Sequence, residues 1–203
     1  MANILPKDKQ VAVNGGFADG NGIRQIERIA GFHRDTITRL GALIGQGCAA
    51  LLITKMRGLT CQHVQFDEIW GFIGKKEKHV RPGDSPDYGD VWTFSAIDAN
   101  TKVVPTFRVG RRDAVTANAF VEDVSSRLGN RVQISSDAHH ACVEAVELSF
   151  GAGVDFAQII KTYEVDDSST TEWKYSPSKA VSVEKRPIAG NPDTRVASTS
   201  YVD

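Results

Sequence analysis

The chain has 203 residues, 41% of them hydrophobic and 24% charged, with a formal net charge of −1. That is the balance of an ordinary globular protein of one large or two smaller domains. It contains no run of about 18 apolar residues, so no transmembrane helix is expected, and its N-terminus lacks the apolar core of a signal peptide. Cys48, Cys61 and Cys142 are scattered, odd in number and without a CxxC pair, which argues against a zinc ribbon or a disulfide framework and suits a reducing cytoplasm.

The small net charge hides an asymmetry. Residues 1–60 hold eight Lys and Arg against four Asp and Glu, and the remainder holds sixteen against twenty-one. A basic head on an acidic body suits a nucleic-acid reader joined to a metal-binding domain, although chance variation in a short segment gives the same figures.

In chain order, a first helix over about 7–18 is weakened by Gly15 and Gly16. A second carries Ile23, Ile26, Ile29 and Ala30 at helical spacing, Gly31-Phe32 makes a tight turn, and a third helix starts near His33 with Ile37, Leu40 and Ile44 as its stripe. Helix, glycine turn, helix is the helix-turn-helix pattern, here a small all-α DNA-binding domain over 1–47. Arg34, Thr36, Thr38 and Arg39 would face DNA, the arginines for phosphates or guanine edges and the threonines close to bases. A plain helical hairpin with a solvated basic face fits the same residues. Residues 45–62, punctuated by Gly45, Gly47 and Gly58, are expected to be a helix tail and linker, with the linker over 48–62.

From residue 63 the period becomes strand-like. In 63–73, alternation sets Val64, Phe66, Trp70 and Phe72 on one face and Asp67 on the other beside Gln65 and Ile69. A mid-strand carboxylate is costly, and a metal ion is the obvious reason for it. Glu68 falls on the apolar face, where an ion pair with an arginine would account for it. A polar loop over 75–90, strands over 91–97 and 103–109, and an Asp98-Ala-Asn-Thr-Lys turn form an antiparallel meander. Asp113 caps a helix over 114–128, a strand over 131–136 runs into Asp137, a helix covers 139–149 and a strand 154–160. Residues 162–200 lack clean periodicity, carry Pro177, Pro187 and Pro192, and are expected to be a loop-rich insertion.

This β-β-β-α-β-α-β order carries a chemical consequence. If the fourth strand crosses over to lie parallel to the first, Asp137 at its end faces Asp67, and the two can share a hard divalent cation, Mg²⁺ or Mn²⁺. Such an ion activates a water or a 3′-hydroxyl for attack on phosphate. Turn and cap roles explain Asp90, Asp98 and Asp113. His139 and His140 either help to position a phosphate or water or are structural.

Several segments are familiar together: Phe-Asp-Glu-Ile-Trp-Gly-Phe (66–72), Gly-Asp-Val-Trp-Thr (89–93), Val-Gly-Arg-Arg-Asp-Ala (109–114), Ser-Ser-Asp-Ala-His (135–139) and Ser-Thr-Ser-Tyr-Val (198–202). From about Leu5 to Val202 the chain resembles the IS1-family insertion-sequence transposases. The resemblance implies an α/β, RNase H-like mixed sheet over 63–203, preceded by a helix-turn-helix that binds terminal inverted repeats. It also implies a DDE triad, with Asp67 as the first acid and Asp137 as the second. In the family, Tyr-Val is followed by a glutamate on a long helix. Here Asp203 stands in that third position, one methylene shorter, and the expectation is a catalytic domain that lacks its last helix and cleaves poorly. Implied with the family are terminal and target DNA as partners, a homo-oligomer on DNA, no membrane and a bacterial, nucleoid-associated location. The rival readings are a non-catalytic DNA-binding repressor of transposition and a stand-alone RNase H-like nuclease.

Overall fold

A computed structural model describes residues 5–163 and 180–201. The chain divides into two units, Met1–Lys55 and Met56–Asp203.

The first unit holds three helices, α1 (Lys7–Ala18), α2 (Ile23–Ala30) and α3 (Arg34–Lys55). Val13, Ile26 and Ile37, one from each, are buried together, with Phe17, Phe32 and Leu40 packed around them. Gly15 and Gly16 do not interrupt α1. Gly16 lets α2 approach, since a Cβ there would lie 3.0 Å from Ile26 Cγ1, and this packing outweighs the helix penalty of about 1 kcal/mol per glycine. The Gly22 amide donates to Gln25 Oε1 at the start of α2. Gly31, at φ 72°, ends α2 in the left-handed region.

The expected linker over 48–62 begins as helix. α3 continues through Gly45 and Gly47 to Lys55, because the Ala, Leu and Ile residues around those glycines sustain it. That continuity makes α3 long and apolar enough, by length and composition, to cross a membrane, a property the glycine-punctuated sequence had not suggested. Its first turns nevertheless belong to the three-helix core through the wholly buried Ile37.

The second unit is a six-stranded mixed sheet with two helices. Its strands are β1 (His63–Ile73), β2 (Gly89–Asp98), β3 (Phe107–Gly110), β4 (Val132–Asp137), β5 (Val154–Tyr163) and β6 (Ala180–Ala189), in the order β3-β2-β1-β4-β5-β6. β1, β2 and β3 form the expected antiparallel meander. β4 then crosses over to run parallel to β1, and β5 runs parallel to β4. The helices α4 (Ala114–Arg127) and α5 (His140–Phe150) join these strands. Phe120, Val121, Val124 and Val146 close over Val64, Phe66, Phe94, Ile134 and Phe156 on one face of the sheet. Asp113 caps α4 as its position predicts, accepting a hydrogen bond from the Thr116 amide.

Two strand assignments change. β3 is shorter than 103–109 because Pro105 has no N–H for the ladder; residues before it are tied to β2 only by isolated bonds such as Asp98 N–H to Val103 O. And 162–200 is not all loop: β5 runs on to Tyr163, and β6 pairs with it antiparallel. Pro187 had spoken against a strand there, but β6 is at the sheet edge, where proline is tolerated. Residues 191–201 then cover the second, polar face. The Gln133 side chain exchanges two hydrogen bonds with the Asp193 backbone, the Tyr201 amide donates to Gln65 Oε1, and Ala197 and Thr199 are buried.

Candidate active site

β1 pairs with β4 from His63↔Gln133 as far as Gln65↔Ser135. Beyond that rung the two strands are no longer paired, and the next residues of the same orientation are Asp67 and Asp137. Asp67 stands on β1 in register with Ser95 of β2, and Asp137 is the last residue of β4. Carboxylate oxygens of Asp67, Glu68 and Asp137 all lie within 4.8 Å of one another. Past Glu68 the apolar face of β1 outruns its cover, which is why Trp70 and Phe72 are exposed.

Each acid is held differently. Asp67 Oδ1 accepts the Glu68 amide at 2.7 Å. Asp137 Oδ1 accepts the His139 amide at 3.0 Å, and its Oδ2 lies 3.4 Å from Arg112 Nη2. The Glu68 side chain is 3% exposed and both its oxygens are engaged: Oε2 by Arg112 Nη2 at 3.0 Å and Nε at 3.1 Å, Oε1 by His139 Nδ1 at 3.3 Å. The ion pair expected for Glu68 is therefore present, and Arg112 is the partner. Arg112 also lies over the Trp92 ring, 5.0 Å from its centroid. It is delivered there by the turn from β3 into α4, where Gly110 passes so close to Thr116 that a Cβ would come within 2.6 Å of Cγ2.

No family model matches the chain, of insertion-sequence transposases or any other, and no curated protein matches it. Among solved structures, the chain is similar to a piggyBac transposase in a synaptic complex with hairpin DNA (15% identity, TM-score 0.33) and to Mos1 transposase in a paired-end complex with the left transposon end (14% identity, TM-score 0.30). The matches cover 60% and 73% of this chain but 27% and 59% of those chains. At these scores the likeness reaches neither the site nor an activity.

Electrostatics separate the carboxylates. Burial raises the Asp137 pKa above its ordinary value and the charge of Glu68 raises it further; the His139 amide and Arg112 offset only part of this. Burial acts on Glu68 in the same sense, but hydrogen bonds and charge from His139 and Arg112 outweigh it, and its pKa is lowered. The Cys142 thiol, at 3.7 Å from Glu68 Oε1 and 3.6 Å from His139 Nδ1, is pushed far up by burial and then by the charges of Glu68 and Asp137. A soft metal taking the Glu68, His139 and Cys142 group would have to displace the thiol proton.

Sequence reasoning had not placed Arg112 or Cys142 here. The available signal was the charged Glu68 on an apolar strand face, which demands a nearby cation. Asp90 and Asp98 serve as the local anchors that their turns suggested, Asp90 Oδ1 for the Glu77 amide and Asp98 Oδ2 for Thr101. Asp203 lies outside the described residues.

In the first unit, Arg34, Thr38 and Arg39 are exposed, and Thr36 is half-buried beside Ile37. The Thr38 hydroxyl bonds back to Arg34 O, and the Arg34 amide is capped by Glu27 Oε1.

Proposed function

We propose that the chain is a DDE-type transposase polypeptide of an insertion sequence, which binds DNA through its three-helix unit and cleaves and transfers DNA strands at the Asp67–Asp137 cleft. The observation that carries this reading is the approach of two carboxylates from distant parts of the chain across the open end of parallel strands β1 and β4. The IS1-like motifs support it, as does the strand order, which suits an RNase H-like sheet.

The donor set suits Mg²⁺ or Mn²⁺. Both aspartates offer hard oxygens, and the Asp137 side chain is 34% exposed, open to a phosphate from solvent. A divalent ion at Asp67 and Asp137 would supply Lewis acidity and an activated hydroxyl for in-line displacement at phosphorus. The chain's own groups prepare that place. The His139 amide fixes Asp137, Asp67 is set by its strand, and Glu68 holds Arg112 beside the cleft rather than serving as a third ligand. His139 sits where it would help to orient a phosphate or water.

Arg34 and Arg39 on α3 are the DNA contacts, with Thr38 behind them, in a helix-turn-helix built from α2 and α3. Terminal repeats and target DNA are the partners, engaged by more than one copy of the chain in the bacterial nucleoid.

The test is Mg²⁺- or Mn²⁺-dependent nicking of duplexes taken from the sequences that flank the coding region. Asp67→Asn and Asp137→Asn should each reduce nicking by about 100-fold or more, beyond the loss typical of groups that only support metal ligands. Nicking that survives both substitutions would overturn the assignment. Retarded DNA without nicking would favour the repressor reading, for which the positive charge already supplied to Asp137 by Arg112 is the supporting observation.

A further inference from the structure

Arg112 has two unequal attachments. To Glu68 it presents two nitrogens, at 3.0 and 3.1 Å. Glu68 is itself immobile, since its side chain is 3% exposed and its other oxygen is taken by His139. To Asp137 it presents one nitrogen at 3.4 Å, and that carboxylate is a third open to water. The ring of Trp92 supports the guanidinium from below. Losing the Asp137 contact would leave the bidentate pair and the stack in place, whereas losing Glu68 would strand a buried carboxylate.

We propose that Arg112 is the internal counter-cation of this cleft: anchored on Glu68 and Trp92, it neutralises Asp137 while no divalent ion is present and competes with that ion for the Asp137 carboxylate. Glu68 is thus a positioning residue acting through Arg112. The inference rests on the reading of Asp67 and Asp137 as metal ligands. It follows that Arg112 opposes metal binding instead of assisting it, and that Glu68 lessens this opposition by holding the guanidinium back.

The experiment is Mn²⁺ binding to the full chain, followed by the electron paramagnetic resonance of the free ion, with no DNA and no turnover. Arg112→Gln should tighten binding on the order of tenfold, because a like charge a few ångströms from the ion is removed. Arg112→Lys keeps the charge and should stay within about twofold of the parent chain, which separates charge from loss of packing. Glu68→Gln should weaken binding, and by clearly less once Arg112→Gln is present, because the part that acts through the guanidinium is then already gone; a Glu68 that acted only as ligand or charge would show the same loss in both backgrounds, which would overturn its positioning role. Unchanged or weaker binding in Arg112→Gln would overturn the proposal. If Asp137→Asn still lowers affinity in that case, the metal-site reading survives alone. If Asp137→Asn has no effect either, both fall.

Discussion

Asp137→Asn should make the protein more stable in the absence of divalent ions. Asp137 stands beside Glu68 and Asp67, with oxygens of all three acids within 4.8 Å. At an effective dielectric constant of about 20, one like-charge contact at that separation costs roughly 3–4 kcal/mol, and Arg112 offsets a comparable amount. The residue is the desolvation of Asp137 and the second carboxylate, reduced by the side chain's one-third exposure. Asparagine keeps Oδ1 as the acceptor for the His139 amide, and its Nδ2 replaces the oxygen beside Arg112, giving up only that single 3.4 Å contact. A gain of about 1 kcal/mol follows, or about 2–4 °C in Tm for a chain of this size.

The pH dependence has a definite sign. The folded pKa of Asp137 lies above its ordinary value of 3.8, so ionisation costs the native state more than the unfolded one. The penalty is complete above the folded pKa, shrinks as pH falls through it and is gone below 3.8. The Tm difference between Asp137→Asn and the parent should therefore be largest at neutral pH and vanish toward pH 3.8. With Mg²⁺ at about 100 times its Kd the parent should gain up to ~2.7 kcal/mol, and the variant little. Calorimetric melts from neutral to acid pH, with and without Mg²⁺, measure all three quantities. A variant less stable than the parent at pH 7 without metal, or a gap that widens in acid, would refute the argument.

Other perturbations have equally definite outcomes. Glu68→Ala should cost about 3–5 kcal/mol in urea denaturation at pH 7, since it leaves Arg112 and His139 without their buried partner. That loss should fade as pH falls through the lowered folded pKa of Glu68, where the parent gives up the same interactions. Arg34→Ala with Arg39→Ala should weaken DNA binding and reduce the slope of log K against log salt by roughly one per lost phosphate contact; an unchanged slope in filter binding would remove them from the DNA face. Gly16→Leu should destabilise the three-helix unit by about 1–3 kcal/mol through overlap with Ile26, visible as an early loss of helical circular dichroism, whereas Gly15→Ala, with open space around it, should be neutral or slightly stabilising.

The meander and the parallel return of β4 were legible because each rests on local signals. Alternation marks the strands, Asp113 marks the start of α4, and the crossover between parallel strands follows from chain length and handedness. With them came the approach of Asp67 to Asp137. Arg112 was not legible, because its partner lies 44 residues away, and nothing in a local period records which arginine a buried glutamate will meet. Glycines misled twice in the first unit: Gly16 is in α1 for the sake of Ile26, and Gly45 and Gly47 are carried by apolar neighbours in α3. Pro187 misled in the opposite sense, since its meaning depends on whether a strand is central or at an edge, and only the assembled sheet decides that.

The polar second face of the sheet bears on how the protein is made. Tyr201 closes onto Gln65 across 136 residues, so this contact cannot form until residue 201 has left the ribosome. Until then β1 and β4 wait with one face uncovered. Where the late segment docks, that face presents Gln65, Gln133 and Ser135, and water can satisfy them in the interim. A polar docking surface of this kind offers little for a neighbouring nascent chain to stick to, and residues 191–201 can dock late without that surface having been captured first.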